Sequence, residues 1–520
     1  MTNDELLRLV LTSRVYDVAR QTPLDAARRL SQRTGHEVFL KREDLQPIFT
    51  YKIRGAYNRI AHLSAEERQR GLITASAGNH AQGVAYAARH LGLDALIVMP
   101  QTTPAIKIAA VRQLGATVEL FGDSFSDAKQ RCDEIAIETN RIVIHAFDDP
   151  LVIAGQGTVA QEILAQGRND LDAIFVPIGG GGLIAGIAGY VKAVNPSIKV
   201  IGVEPFEADA MYRSREAGRR ITLDHVGIFA DGVAVREVGA LTFAIAQQAV
   251  DDIVRVSTDQ ICAAIKDVFD DTRSLMEPAG ALAVAGLHAW SATQSRPNQR
   301  LVAVLTGANM NFDRLRFVAE RAEVGEAREA LFAVTIPERP GAFREFCATI
   351  GRRVVTEFNY RLSGRSRAHI FVGIGTDSRQ NAIDLIALLH SRGYEAVDLS
   401  EDELAKLHVR YMVGGRSADV RSERLYRFEF PERPGALMAF LERLGDRWNI
   451  SLFHYRNHGS DFGRVLAGFE VPDADAGQFD QFLDSLGYRH QREERNPAYE
   501  MFLAGDSTPP YSANASSGKQ

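Results

Sequence analysis

The C-terminal third of this chain of 520 residues contains one segment twice. Leu331–Ala342 (LFAVTIPERPGA) matches Leu425–Ala436 (LYRFEFPERPGA) 94 positions further on, and Gly393-Tyr394 matches Gly487-Tyr488 at the same offset. Each copy predicts a strand, a PERPGA turn, a helix, two strands, a helix and a strand, which form an α+β, ferredoxin-like unit of about seventy residues. The chain must therefore combine two small, similar units with a larger, different domain.

Before residue 325, short apolar runs alternate with stretches of helical spacing. The runs are Ala95–Pro100, Thr117–Gly122, Ala173–Ile178, Val200–Pro205 and Leu301–Thr306. Because they are mostly apolar and show no alternation with polar residues, they predict parallel strands buried on both faces and covered by helices such as Ala81–His90, which is the α/β class. A region of about 320 residues is large for one doubly wound sheet, so we expect two lobes with a cleft between them.

These patterns predict four segments in the chain. An α/β domain spans 1–324, the two α+β units span 330–402 and 424–496, and a tail spans 505–520. The tail is rich in Ser, Pro and Gly, which is typical of disorder. Two complete small units that follow a complete α/β domain more often regulate or assemble that domain than complete its core.

Composition excludes several classes of protein. The chain has 60 Lys and Arg against 66 Asp and Glu, a formal net charge of −6, which disfavours a nucleic-acid-binding surface. No apolar run reaches the roughly 18–20 residues that cross a bilayer, and the start MTNDELLRLV lacks an export or transit pattern, so we expect no membrane partner. Cys132, Cys262 and Cys347 are far apart, which predicts no metal site and no disulfides and favours a cytoplasmic location.

A glycine loop follows the predicted strand that ends at Ile178 and precedes a helical run. The loop consists of Gly179, Gly180, Gly181, Gly182 and Leu183. Glycines let the backbone approach an anion, and a helix start offers free N–H groups, so the loop predicts a phosphate site. The spacing Gly180-x-Gly182-x-x-Ala185, with Glu204 after the next strand, also fits a dinucleotide-binding loop. An NAD-dependent oxidoreductase therefore stays open on the loop alone, as does a purely structural strand–helix crossing.

Lys52 helps to separate these interpretations. It lies in the segment Phe49–Ala56 (FTYKIRGA), among aromatic and aliphatic residues. Burial among them would lower the pKa of its amine and make the amine nucleophilic towards an aldehyde. A buried lysine and a phosphate loop are what a pyridoxal phosphate site requires, whereas a nicotinamide enzyme needs no such lysine.

Two further loops follow predicted strands. The first consists of Ser76, Ala77, Gly78, Asn79 and His80, where the N–H groups of a helix start could hold a carboxylate and Asn79 could donate to a phenolic oxygen. A hydrolase with Ser76 as nucleophile is disfavoured, since Thr74 replaces the first glycine of a Gly-x-Ser-x-Gly elbow. The second loop begins at Thr306, whose hydroxyl could bind a pyridine nitrogen. The plainer interpretation is a helix cap in the first loop and a strand-ending turn in the second.

In this order, the motifs resemble the biosynthetic threonine dehydratases (threonine ammonia-lyases), which are fold-type II pyridoxal phosphate enzymes with a two-lobed, tryptophan synthase β-like catalytic domain. The resemblance runs from about Arg14 to Gly505, and the two C-terminal units resemble the ACT-like regulatory domains of that family. The motifs that carry it are Val15-Tyr16, Thr22–Leu24, Lys41–Asp44, Lys52–Ala56, Ser76–His80, Gly179–Leu183, Phe229–Ala234, Glu277–Ala281 and Thr306–Asn309.

The resemblance implies a role for each loop. Lys52 would bond covalently to the aldehyde of pyridoxal 5'-phosphate, and Gly179–Leu183 would bind its phosphate. Asn79 would contact the phenolic oxygen of the cofactor, and Thr306 would contact its ring nitrogen, since Thr keeps the hydroxyl of the Ser that relatives often have. The loop Ser76–His80 would take the substrate carboxylate.

The resemblance also implies a reaction and its regulation. Racemase-like members have Ser where this chain has Ala77, which cannot donate a proton, so elimination is favoured. L-Threonine would give 2-oxobutanoate and ammonia, the first step of isoleucine synthesis, in a homotetramer inhibited by isoleucine and activated by valine. A serine dehydratase or a cysteine synthase-like enzyme of the same fold stays an alternative, as does an amino-acid sensor without activity.

Overall fold

A computed structural model of the chain describes residues 1–503, apart from residues 168–169, 326–327, 352, 365, 416, 418, 421, 432–435, 445–446, 457–461, 494–495, 497–498 and 500–501. Contacts divide the chain into two units, Met1–Gly325 and Glu326–Gln520. The predicted tail 505–520 lies outside the described residues. No α-helix in the described part of the chain has both the length and the apolar character needed to cross a membrane.

Strands and helices alternate along the first unit. Its strands are β1 (Leu24–Ala26), β2 (Glu37–Arg42), β3 (Leu72–Ala75), β4 (Ala95–Met99), β5 (Thr117–Leu120), β6 (Ile142–Val143), β7 (Ala173–Pro177), β8 (Lys199–Pro205), β9 (Asp252–Val256) and β10 (Arg300–Leu305). Its α-helices are α1 (Asn3–Leu11), α2 (Arg28–Thr34), α3 (Lys52–Ala61), α4 (Ala65–Gln69), α5 (Asn79–Leu91), α6 (Ala105–Gln113), α7 (Phe125–Thr139), α8 (Pro150–Gln166), α9 (Gly182–Val194), α10 (Ala210–Ala217), α11 (Ala240–Ala249), α12 (Thr258–Thr272), α13 (Pro278–Ser291) and α14 (Leu315–Gly325). Short 3-10 helices lie at Val15–Asp17, Glu43–Leu45, Asp231–Val233 and Phe312–Arg314.

Two separate sheets form the first unit. The larger has the strand order β1-β2-β10-β7-β8-β9, and its pairs are parallel except for β1 and β2. The smaller has the order β5-β4-β3-β6 and is parallel throughout. The α/β class with two lobes that the sequence predicts is therefore confirmed.

The packing of the central strands in the larger sheet explains why their sequences are mostly apolar. Along β10, Val302 and Val304 pack into a core layer with α8, α9 and α11, while Leu301 and Ala303 pack into the opposite layer with α12 and α13. The prediction of burial on both faces was wrong for β5, because this strand lies at the edge of the smaller sheet and its residues are partly or fully exposed.

The second unit contains both copies of the repeat in one sheet. The first copy has β11 (Glu329–Pro337), α15 (Ala342–Ile350), β12 (Val355–Arg361), β13 (Arg367–Gly375), α16 (Arg379–Ser391) and β14 (Glu395–Asp398). The second has β15 (Glu423–Pro431), α18 (Ala436–Leu444), β16 (Asn449–Arg456), β17 (Phe462–Glu470), α19 (Ala476–Leu486) and β18 (His490–Arg492), and α17 (Glu403–Leu407) lies between the copies. Further 3-10 helices lie at Val409–Tyr411 and Asp473–Asp475. Each copy has the predicted order of elements.

Antiparallel pairing of β12 with β16 joins the copies into an eight-stranded sheet of order β14-β11-β13-β12-β16-β17-β15-β18. Buried aromatic residues from both copies form one core, among them Phe332, Phe346, Phe358, Phe440, Phe453 and Phe469. In the first PERPGA turn, Gly341 has a φ of 86°, a backbone conformation that favours glycine, and it directly precedes α15. The matching Gly435 lies outside the described residues.

Candidate active site

The predicted site residues follow the carboxyl ends of strands in the first unit. The segment Ser76–His80 follows β3, the glycine loop follows β7, and Thr306 follows β10. Ligands of parallel α/β sheets bind at this edge. Lys52 is the first residue of α3.

Arg54 fixes the start of α3 and thereby the position of Lys52. Its guanidinium donates from Nη2 to Glu43 Oε1 at 2.7 Å and from Nη1 to Glu162 Oε1 at 2.7 Å. Glu162 also accepts from Lys41 Nζ at 2.6 Å. All four side chains are buried, and since buried charges must be paired, this network can adopt few other arrangements.

The glycine loop is shaped for an anion. Gly181 has a φ of 95°, and α9 begins directly after it without a side-chain cap. A Cβ on Gly180 would lie 2.2 Å from Cδ1 of Phe147, and a Cβ on Gly181 would lie 2.8 Å from Cβ of Thr242, so larger residues do not fit. Within the described residues, the backbone N–H groups of 179–184 donate to no acceptor. These free donors at a helix start fit a phosphate group.

One short segment after β6 connects three of the predicted elements. The carbonyl of Ala146 accepts from Lys52 Nζ at 3.4 Å, and the carbonyl of Ile144 accepts from His80 Nε2 at 2.9 Å. The next residue, Phe147, packs against Gly180. Lys52 is half-buried and, among the described residues, takes part in no ion pair, so its amine can bond to another group.

The Ser76–His80 loop offers a second set of free donors. Ser76 Oγ accepts from the N–H groups of Gly78 and Ala81, both at 3.3 Å, so this hydroxyl supports the loop. In the part of the chain that the structure describes, the N–H groups left without an acceptor are those of Ala77, Asn79 and His80. They surround the start of α5, where a carboxylate would be stabilised.

His80 is a packing residue in this geometry. Its ring is buried, and Nε2 must carry the proton because the carbonyl of Ile144 can only accept. Burial, and to a smaller extent the positive charge of Lys52, lower the pKa of His80 to about 3. The ring is therefore neutral at physiological pH and a weak base.

Thr306 connects the end of β10 to the segment before Lys52. Its carbonyl accepts from the N–H of Tyr51 at 3.2 Å and from Thr50 Oγ1 at 3.1 Å. Its hydroxyl donates to the carbonyl of Ala279 at 3.0 Å. The carbonyl of Ala279 lies in α13 and also accepts within that helix, so the hydroxyl of Thr306 can turn its single proton to an acceptor on a ligand.

Two residues for which the sequence predicts no role contact Asn79. Glu277 Oε1 accepts from Asn79 Nδ2 at 2.6 Å, and Asn309 Nδ2 donates to Asn79 Oδ1 at 2.7 Å. Burial, and to a smaller extent the negative charge of the nearby Asp231, raise the pKa of Glu277 to about 7. Both residues lie in motifs quoted above, but 198 positions separate Asn79 from Glu277, so no local pattern predicts their contact.

Glu204, the residue that kept a dinucleotide site open, has another role. Its carboxylate accepts from the backbone N–H groups of Met211 at 2.9 Å and Tyr212 at 2.8 Å, at the start of α10. Both oxygens therefore stabilise a helix start instead of facing a ribose.

The comparison with known proteins agrees with this geometry. Residues 15–307 match the family described as pyridoxal-phosphate dependent enzyme, and residues 320–409 and 414–503 match the C-terminal regulatory domain of threonine dehydratase. The biosynthetic L-threonine dehydratase of Burkholderia multivorans is 56% identical over 97% of this chain and 100% of its own length. The chain belongs to the biosynthetic threonine dehydratase family. This member is a pyridoxal phosphate-dependent lyase, and the NAD-dependent interpretation was wrong.

Other members of the threonine dehydratase family are similar over nearly the same length. The biosynthetic enzyme of Escherichia coli is 50% identical over 96% of this chain and 97% of its own. The mitochondrial threonine dehydratase of Saccharomyces cerevisiae is 50% identical over 96% of this chain and 89% of its own.

Solved structures share the fold. Processed threonine deaminase isoform 2 of Solanum lycopersicum superposes with a TM-score of 0.61 at 48% identity, covering 62% of this chain and 88% of its own. Maize serine racemase reaches a TM-score of 0.57 at 32% identity, covering 61% of this chain and 96% of its own. Because a racemase shares this fold, the fold alone does not select the reaction.

Proposed function

We propose that this enzyme converts L-threonine to 2-oxobutanoate and ammonia in isoleucine biosynthesis. The observation that carries the proposal is the 56% identity, over the full length of the relative, to a biosynthetic L-threonine dehydratase. Lys52 supports it, because its amine has no ion-pair partner among the described residues and lies beside a segment that also contacts the glycine loop.

The donor set of the site fits the cofactor. The N–H groups of the glycine loop would hold the phosphate, Lys52 would bond to the aldehyde, Asn79 would donate to the phenolic oxygen, and Thr306 would face the ring nitrogen. When bound, pyridoxal phosphate supplies a conjugated system that delocalises the negative charge left on Cα.

The side chains and backbone of the site would perform the remaining steps. The N–H groups at the start of α5 would hold the substrate carboxylate and so orient Cα towards Lys52. Nζ of Lys52, released from the cofactor when the substrate amine takes its place, would remove the Cα proton. The bond from Cβ to the hydroxyl oxygen would then break, and the oxygen would take up a proton and leave as water. Ala77 has no proton to deliver to Cα, which favours elimination over racemisation.

Product analysis tests this proposal. The purified enzyme is incubated separately with L-threonine and L-serine, and oxo acids, ammonia and D-amino acids are measured. We expect 2-oxobutanoate and ammonia in equal amounts from L-threonine, at a higher kcat/KM than pyruvate from L-serine. D-Serine or D-allothreonine as the main product, without oxo acid, would exclude a dehydratase.

For the C-terminal unit, we propose binding of isoleucine as inhibitor and valine as activator, in a homotetramer. A cavity of about 570 Å³ in this unit supports ligand binding, since its apolar wall includes Phe371, Leu399, Val409 and Met412. Asn359 also lines it, and its buried Oδ1 has no hydrogen-bond partner among the residues that the structure describes. Calorimetric titration with isoleucine and light scattering of the free and bound enzyme test binding and assembly.

A further inference from the structure

The amide of Asn79 is held from both sides. Asn309 Nδ2 donates to Asn79 Oδ1 at 2.7 Å and also to the carbonyl of Ile48 at 3.0 Å. Since the Ile48 carbonyl can only accept, the nitrogen of the Asn309 amide must lie on this side. The oxygen of Asn79 therefore faces Asn309, and its nitrogen faces Glu277.

This arrangement leaves Asn79 with one unused donor. Its Nδ2 carries two hydrogens, and one of them is donated to Glu277 Oε1 at 2.6 Å. Among the described residues, the other hydrogen has no acceptor. A donor of fixed direction is therefore available where the proposed function places the phenolic oxygen of the cofactor.

Glu277 does not have the role that its place in the chain predicts. It is the N-cap residue of α13, but its side chain makes no hydrogen bond to that helix. The carboxylate turns to Asn79, and the residue is only 5% exposed. A Cβ on Gly307 would lie 2.6 Å from Glu277 Oε1, so a glycine backbone makes room for the carboxylate.

Burial of this carboxylate costs stability in the free enzyme. Burial raises the pKa of Glu277 most, and the negative charge of Asp231 raises it to a smaller extent. The hydrogen bond from Asn79 and the positive charges of Lys107 and Lys52 lower it. Asp231 is itself paired with Lys107 at 2.5 Å. A buried carboxylate with one hydrogen-bond partner is a poor stabiliser of a fold, which indicates that its contact with Asn79 serves the site.

We propose that Glu277 is a positioning residue that accepts one hydrogen of the Asn79 amide and so directs the other to the phenolic oxygen of pyridoxal phosphate. This inference rests on the proposed function, because that function places the phenolic oxygen at Asn79. Asn309 completes the clamp by fixing which face of the amide is presented.

The test uses the full-length enzyme with Glu277→Leu and Glu277→Gln. Leu removes the acceptor, and Gln keeps an acceptor oxygen without the charge. Glu204→Gln is the control, because Glu204 is a second buried carboxylate with a raised pKa that contacts α10 instead of the site. Pyridoxal phosphate is titrated into each apo-enzyme, and visible absorbance, kcat and KM are measured for the loaded forms.

We expect Glu277→Leu to weaken cofactor affinity by about tenfold or more and to shift the visible absorbance band. The apo form of this variant should unfold at no lower temperature than the wild-type apo-enzyme. If the role of Glu277 were purely structural, the unfolding temperature would fall and the absorbance band would stay unchanged. Glu277→Gln should keep the cofactor affinity within about threefold of the wild type, as should Glu204→Gln.

Two results would overturn the inference. One is wild-type cofactor affinity and absorbance in Glu277→Leu, and the other is a Glu277→Gln variant as weak as Glu277→Leu. If either result is found for the variants while the wild-type enzyme binds the cofactor and turns over L-threonine, the proposed function still stands. A wild-type enzyme that binds no pyridoxal phosphate would refute the proposed function itself.

Discussion

Cδ1 of Phe147 lies 2.2 Å from the position that a Cβ on Gly180 would occupy. The aromatic ring thus fills the space beside the glycine loop, whose backbone N–H groups donate to no acceptor among the described residues. Thr242 Oγ1 donates to the carbonyl of Gly180 at 2.7 Å and fixes the direction of that peptide.

We expect Gly180→Ala to destabilise the enzyme by about 1–3 kcal/mol and to weaken pyridoxal phosphate binding by about tenfold. The added methyl group displaces Phe147 or the loop, and the N–H groups then lose their alignment. Chemical denaturation and cofactor titration measure the two effects. Gly477→Ala is the control, since a Cβ there meets no atom of the described residues within 4 Å. An unchanged cofactor affinity in Gly180→Ala would contradict a tightly fitted phosphate site.

The hydroxyl of Thr306 provides a second prediction. Thr306→Ser keeps the donor to Ala279 and should retain turnover and cofactor affinity. Thr306→Val removes one of the hydrogen bonds to the carbonyl of Ala279, which should cost about 1 kcal/mol of stability, and it removes the hydroxyl that faces the ring nitrogen. We expect at least about fivefold weaker cofactor binding in Thr306→Val. Equal affinity and turnover of the two variants would exclude a role for the hydroxyl.

His80 predicts a pH dependence of stability. Its pKa falls from 6.5 to about 3 in the folded protein because burial disfavours the charged ring. A lowered pKa in the folded state means that His80 contributes stability above pH 6.5 and that this stability decreases as the pH falls towards about 3. Between pH 8 and pH 5 the expected loss is about 2 kcal/mol.

The matching experiment compares His80→Gln with the wild type at both pH values by chemical denaturation. Gln can still donate to the carbonyl of Ile144 but does not titrate, so the variant should lack this part of the pH dependence. His225→Gln, at an exposed position, should follow the wild type. An equal pH dependence in His80→Gln and the wild type would show that His80 is not the titrating group.

If the C-terminal unit binds the effectors, a chain without this unit should keep its activity and lose its inhibition. A chain of residues 1–324 contains the proposed active site and lacks both copies of the repeat. We expect it to turn over L-threonine but to show no inhibition by isoleucine, measured as 2-oxobutanoate formation over a range of isoleucine concentrations. Inhibition of the shortened chain at the concentrations that inhibit the full chain would place the effector site in the first unit.

The sequence predicts those parts of the fold in which burial and apolar character coincide. The strands β7 and β10 were predicted to within one residue at each end for this reason. The strand β2 was missed because it contains Lys41 and Arg42, which resemble exposed residues. Both are buried in the structure, Lys41 paired with Glu162 and Arg42 with Asp44, partners that a local pattern does not reveal.

The residues of the site also differ in how far the sequence alone predicts them. Lys52 and the glycine loop carry local signals, a lysine among apolar residues and consecutive glycines between a strand and a helix. The contact of Asn79 with Glu277 depends on the packing of distant segments, and the same holds for the two N–H groups that occupy Glu204. The motifs that contain these residues can be recognised in the sequence, but the hydrogen-bond partners of the residues are visible only in the structure.

The central claim is that the amine of Lys52 bonds to pyridoxal phosphate and carries the reaction. Borohydride reduction of the loaded enzyme, followed by peptide mass spectrometry, locates the bond directly. We predict the cofactor on the peptide that contains Lys52, and no turnover and no visible absorbance of bound cofactor in a folded Lys52→Ala variant, while the exposed Lys129→Ala behaves as the wild type. Cofactor attached to Lys107 or another lysine, or turnover retained in Lys52→Ala, would contradict the account.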